Sequence, residues 1–199
     1  MTLVTAMFTW QGVDDTGLES ARVLLGEGGL RALGRMVRTP REGDAFTASY
    51  RLFVGEDGIL SRLSVTSATG ERERNLTLNR TEDGYWLLDT GSGKAGSRTE
   101  FGGALDVDLQ FSPLYNALPI RRLGLHVGAS GDVEHEIPMV FVMLPTLDVE
   151  LVTQCYRTVS TLDQRERALI GFRGHDFTAE IEVDGSGMVT HYPELASRR

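Results

Sequence analysis

The stretch T-A-S-Y-R-L-F-V-G-E-D-G, Thr47 to Gly58, decides the fold class. Its first eight residues are rich in strand formers, with polar and apolar positions largely alternating, as a half-buried strand requires. Gly55-Glu56-Asp57-Gly58 then supplies turn residues, and Ile59 to Val65 returns as a second strand. Alternation, Asp-Gly, alternation is the signature of an antiparallel hairpin. The same grammar recurs on both sides. Asn75 to Arg80 places its leucines on one face, Asp83-Gly84 turns, and Tyr85-Trp86-Leu87-Leu88 returns. Phe177 to Val183 alternates, Asp184-Gly185 turns, and Met188 to Tyr192 goes back. The hairpins have no fixed period, which argues against a propeller or solenoid. Met139 to Leu144 reads as a short buried strand.

Helical signals are few. Leu18 to Leu25 fits a short helix ended by Gly26, Gly28 and Gly29. It fits equally a strand with Glu19, Ala21, Val23 and Leu25 on one side. Leu30 to Val37 has the same ambiguity. The Gly/Ser-rich segment Gly91 to Gly103, with Lys94 inside it, lacks P-loop spacing and a following helix, so it reads as a loop. No linker separates two cores. The expectation is a mainly β protein, with residues 1–199 as a single domain: a curved antiparallel sheet, or half-barrel, with a few short helices.

Composition bounds the function. The 199 residues suffice to hide roughly 70% of the unfolded surface. An apolar fraction of 41% with 24% charged residues is that of an ordinary soluble chain. The net charge of −8 argues against nucleic-acid binding, which needs a basic surface, and against attachment to anionic membranes by charge alone. The segment M-T-L-V-T-A-M-F-T-W is a poor signal peptide, and no run reaches transmembrane length. A cytoplasmic location is therefore expected. Cys155 is the only cysteine, which excludes an intrachain disulfide and a thiolate-rich zinc site. It reads as a buried structural thiol. His126, His135, His175 and His191 form no metal motif, although Glu134-His135-Glu136 is a short run of ligand types. No G-x-S-x-G elbow occurs. No catalytic residue, metal or cofactor is expected.

The central stretch S-P-L-Y-N-A-L-P-I-R-R-L, Ser112 to Leu123, stands apart. Two prolines bracket an apolar run that ends in Arg121 and Arg122. Upstream, L-D-V-D-L puts Asp106 and Asp108 on one face of a strand, about 6.5–7 Å apart along the backbone. Such a carboxylate pair is compatible with acid/base hydrolysis, but pairing with arginine is its more ordinary use. If Ile120 to Leu125 is extended, one arginine faces inward and needs a partner among Asp106, Asp108 and Asn116. If the segment is a helical turn, both arginines lie near one rim. Either way a guanidinium beside apolar walls suits a phosphate, carboxylate or sugar headgroup.

The run L-D-V-D-L-Q-F-S-P-L-Y-N-A-L-P-I-R-R-L resembles the central signature of the glycolipid-binding protein family. Q-C-Y at Gln154 to Tyr156, F-T-A-E-I-E-V-D from Phe177, G-M-V-T-H-Y-P from Gly187 and the terminal Arg198 agree with it. So do W-Q-G-V-D from Trp10 and G-L-E from Gly17. The resemblance implies a half-barrel similar to the bacterial lipoprotein carriers, with a concave apolar face for acyl chains. On it rests the expectation of a non-enzymatic binder of an amphiphilic small molecule, a lipid or glycolipid. Asp106, Asp108, Asn116, Arg121 and Arg122 would form the polar rim, and Tyr115, Trp86 and Tyr156 are candidate wall residues. The rivals are a hydrolase acting on a lipid-like or glycoside substrate, and a structural or partner-binding domain whose concave face is filled by its own side chains. The oligomeric state is left open.

Overall fold

The computed structural model describes residues 4–13, 16–26, 29–91, 97–128, 133–163, 166–174 and 177–199. Asp14, Gly28, Lys94 and His175, named above, lie outside them. Among the described residues fifteen strands follow in chain order. The first half contains β1 (Val4–Gly12), β2 (Gly17–Gly26), β3 (Gly29–Arg38), β4 (Phe46–Val54), β5 (Leu60–Thr69), β6 (Glu73–Arg80), β7 (Trp86–Asp89) and β8 (Ser97–Thr99). The second contains β9 (Asp106–Leu109), β10 (His135–Val142), β11 (Val149–Ser160), β12 (Ala168–Gly174), β13 (Phe177–Val183), β14 (Val189–Tyr192) and β15 (Ala196–Arg198). All belong to one curved, unclosed sheet, ordered β8 through β1 and then β15 back through β9. Strands β1 and β15 join the two meanders at the centre, where Trp10 faces Arg198. The ambiguous segments from Leu18 and Leu30 are both strands. Burial decided between the readings: Glu19, Ala21, Val23 and Leu25 all point inward.

The Asp-Gly hairpins share one turn. In each, an amide three residues on bonds back to the first carbonyl, and the strands close one residue later: Gly58 to Gly55, Gly84 to Thr81, Gly187 to Asp184. The glycine closing each turn has φ of +77°, +87° and +77° respectively, a left-handed conformation that a side chain would strain. In the third turn this glycine is Gly187 rather than Gly185.

Among the described residues every strand pairing is antiparallel except one. Strands β9 and β10 run parallel, with Asp106 opposite Met139 and Leu109 opposite Val142. Parallel neighbours need a long crossover, and Ser112 to Leu123 is part of it. Pro113 opens a 3-10 turn over Pro113–Asn116, which leads into α1 (Ala117–Arg122), the one α-helix among the described residues. Pro119 falls in the first turn of α1, where its missing amide hydrogen costs nothing. The crossover lies against the inner face of the sheet. Leu114, Tyr115, Ala117, Leu118 and Ile120 are each at most 3% exposed. Much of the concave face is thus filled by the chain itself, with Leu114 to Leu118 in one core cluster and Ile120 in the other.

Gly34 sits mid-strand in β3, where glycine ordinarily weakens a sheet. It faces Tyr50 on β4, and an added Cβ would lie 2.0 Å from the Tyr50 ring. The ring crosses β3 over this gap, and its hydroxyl donates to Glu19 on β2. Gly34→Ala is therefore expected to destabilise the fold by about 1–3 kcal/mol through overpacking, read as a lower urea midpoint. An unchanged midpoint would mean that the ring can yield.

Candidate functional site

The crossover leaves one end of the concave face open. A pocket of about 330 Å³ lies there, bounded by strands from the second half of the chain. Its apolar walls are Phe111, Phe141, Phe172, Phe177, Tyr192 and Leu195. Phe172 packs edge-on against Tyr192, with ring centroids 5.9 Å apart, and Phe177 tilts against Tyr192 at 6.0 Å. The polar end is made by Asp108, Asn116 and Gln154, with Ser112 beside them, and Gln110 and a second carboxylate, Glu194, also line the pocket.

These polar groups are linked. The Gln154 Nε2 donates to Asp108 Oδ2 at 2.7 Å. The Tyr156 hydroxyl donates to Gln154 Oε1 at 2.9 Å, and Asn116 Nδ2 donates to that hydroxyl at 2.9 Å. The chain of bonds fixes both amide orientations. Burial, and then the Asp108 charge, push the Tyr156 phenol well above its ordinary range, so it remains a donor. This linked cluster therefore presents a carboxylate and two amides. That set accepts and donates to hydroxyls, and Asp108 repels a second anion.

Behind the wall lies a second polar cluster. Ser112 Oγ donates to Glu19 Oε1 at 2.6 Å, and the Tyr50 hydroxyl donates to the same oxygen. Glu19 is buried, and the loss of hydration pushes its carboxyl up to about 7, against the lowering effect of these bonds and of the Arg38 charge.

The sequence-based candidates separate into three places. Asp108 and Asn116 line the pocket, and Tyr156 supports them. Asp106, on the same strand, turns to a different partner: it forms a two-pronged ion pair with Arg122, with Nε 3.4 Å from Oδ1. Burial raises the Asp106 carboxyl, and the Arg122 hydrogen bond and charge oppose that shift. Arg121 donates to the Ser186 carbonyl on the β13–β14 turn. Both arginines end α1 on one rim, as the helical alternative anticipated, but neither lines the Phe-walled pocket. They do not supply its polar end. Tyr115 is buried edge-on against Tyr50, and Trp86 donates to the Ala104 carbonyl in the core at 3.2 Å. Neither of these rings reaches the pocket.

Sequence reasoning passed over Gln154 and the phenylalanines. Gln154 gave a signal: it is a polar residue in step with Val152 and Tyr156, the inward positions of β11. The phenylalanines gave none, because an inward ring in a strand is usually core. Glu134 and Glu136 meet Arg173, and among the described residues no group of three or more acidic, His or Cys side chains could hold a metal ion. Cys155 is buried, and desolvation raises its thiol, which makes it a poor nucleophile.

The fold and the pocket together define an open, β-barrel-like half-barrel with an apolar cavity between its sheet and an internal crossover. Residues 7–198 match the model of the family described as "Putative glycolipid-binding", and the chain belongs to that family. The chain is similar to the solved structure of a DUF1089 family protein from Pseudomonas aeruginosa, with 28% identity, 92% of each chain covered and a TM-score of 0.72. A β-barrel-like protein of the domain of unknown function DUF1849 from Brucella abortus shares the fold. It is 9% identical, with 100% of this chain and 95% of that chain covered and a TM-score of 0.57. None of the curated proteins matches the chain. Among the described residues no helix is long and apolar enough to cross a membrane.

Proposed function

We propose that the protein binds a lipid or glycolipid, without turnover, in the pocket beside the crossover. The observation that supports this reading is the pocket's division into an aromatic wall and a hydrogen-bonded Asp108–Gln154–Tyr156–Asn116 end. A volume of about 330 Å³ lies at the small end for ligand sites, so it suits one alkyl chain or one small headgroup with part of its chain. Each methylene buried there contributes about 0.8 kcal/mol. Because Asp108 stands at the polar end, a neutral sugar is favoured over a carboxylate or phosphate headgroup. The family's description agrees with that preference.

Calorimetric titration with octyl glucoside and with octanoate tests both parts. Octyl glucoside should bind more tightly than octanoate. Asp108→Asn should weaken the glucoside by about tenfold or more, the loss expected for one hydrogen bond to a charged group, and leave octanoate unchanged or improved. Phe177→Asp should weaken both. If neither probe binds below the millimolar range, the binding reading fails and the concave face is structural.

A further inference from the structure

The outer face of the sheet has a charge distribution that the whole-chain value of −8 conceals. Strands β1 to β5 contain a single carboxylate, Glu19, and it points inward. Five exposed arginines stand on the outer side: Arg22, Arg31, Arg35, Arg51 and Arg62. Strand register sets their arrangement. Leu33 pairs with Arg22 on one side and Arg51 on the other, and Arg31 and Arg35 lie two residues before and after it. Four arginines thus surround Leu33 in a diamond, about 10 Å across the strands and about 13 Å along them at the backbone. Among the described residues none of the five has an ion-pair partner. Arg62 reaches the Ser64 hydroxyl, and Arg31 covers the Phe53 ring. A trough of about 1160 Å³ runs between the arginines, with Ser20, Ser49 and Thr66 on its floor.

The arginines around Leu33 are diagonal neighbours across the strands rather than directly facing pairs, so an anion laid against this face relieves their mutual repulsion. The apolar residues narrow the choice of anion. Leu33 is 47% exposed at the centre of the diamond, and Met7, 65% exposed, continues the row Met7–Arg22–Leu33–Arg51. Single-stranded nucleic acid would need free rings for stacking. The only ring in the trough that points outward is Phe53, and Arg31 lies over it. A two-dimensional set of cations alternating with exposed aliphatic side chains instead matches the phosphates and upper acyl region of a bilayer.

We propose that the outer face of β1 to β5 docks on an anionic phospholipid surface, with the arginines on the phosphates and Leu33 and Met7 at the acyl boundary. The acidic remainder of the chain is repelled by the same surface, which makes docking specific to this face and sensitive to salt. Docking does not depend on occupancy of the pocket.

Co-sedimentation with vesicles tests this. The protein should bind phosphatidylcholine vesicles containing phosphatidylglycerol at low salt, leave pure phosphatidylcholine vesicles unbound, and be released by high salt. Arg35→Glu with Arg51→Glu should lower the partition coefficient at least tenfold, since each basic residue near such a surface is worth about fivefold. Leu33→Ser should lower it less and keep the salt dependence. Binding of octyl glucoside should survive both changes, and Phe177→Asp should leave vesicle binding intact, so the two readings fail separately. If a charge-reversed variant does not fold, Arg35→Gln with Arg51→Gln takes its place. Absence of binding to anionic vesicles at low salt, equal binding by the arginine variants, or tighter binding to a single-stranded oligonucleotide would overturn the proposal.

Discussion

Arg122→Met is expected to lower stability by about 3–5 kcal/mol, the largest effect of any single change argued for this protein. Asp106 is 1% exposed, and Arg122 is the cation that meets it. Removing the guanidinium leaves a carboxylate desolvated and unpaired. Protonation relieves part of the cost, in line with the raised Asp106 carboxyl. The pair also joins separate parts of the fold. Asp106 begins β9, Arg122 ends α1, and the aliphatic part of Arg122 packs on Gly58 in the β4–β5 turn. Nearby, the Leu60 amide donates to the Leu105 carbonyl at 3.1 Å, so β5 is tied to the segment entering β9. Urea denaturation measures the change. The double variant Arg122→Met, Asp106→Asn should recover most of the loss, because it removes both charges. If the single variant unfolds at the wild-type midpoint, the pair does not hold the crossover in place.

Stability should fall as pH rises from 4.5 to about 7, and Glu19 should be the cause. Its carboxyl has an ordinary value of 4.5 and is raised to about 7 in the fold. Within that window the folded protein holds a proton that the unfolded chain has lost, so each step up in pH favours unfolding. The contribution is full below 4.5 and lost as pH passes through about 7. A rise from 4.5 to about 7 amounts to about 3 kcal/mol. Glu19→Gln keeps the shape and removes the titration. Urea midpoints measured across this range should decline for the wild type and decline much less for the variant, which should be the more stable of the two above pH 7. Parallel declines would show that Glu19 does not titrate there. Asp106, also raised, acts in the same sense. Burial alone would raise the Asp184 carboxyl, but its hydrogen bonds from Ser186, Arg198 and the Met188 amide together lower it, so its contribution is lost only in acid, below the window.

Much of the sheet was legible from local pattern. The runs from Thr47, Asn75 and Phe177 are strands β4, β6 and β13, and the Asp-Gly turns between runs are hairpins. The segments from Leu18 and Leu30 could not be assigned, because their spacing satisfies a short helix and a strand alike. The strand reading placed Glu19 on the face of Ala21, Val23 and Leu25 but gave it no partner. Its partners, Tyr50 and Ser112, lie 31 and 93 residues away. The pairing of acid with arginine was readable, since Asp106 stood among the partners expected for these arginines and Arg122 meets it, but which acid takes which partner was not. Asp106 and Asp108 differ by two residues, yet one meets Arg122 and the other Gln154.

The sequence by itself determined which residues of each strand share a face and where the chain reverses, because both depend on neighbours two to four positions apart. It also carried, in the prolines and apolar residues from Ser112 to Leu123, a segment fit to be buried. Only the tertiary structure decided that this segment is the crossover between the two parallel strands. The same holds for where the concave face stays open and for the gathering of five arginines on one outer surface. Those outcomes depend on strand order and register, which bring together side chains far apart in the chain, and no local spacing encodes them.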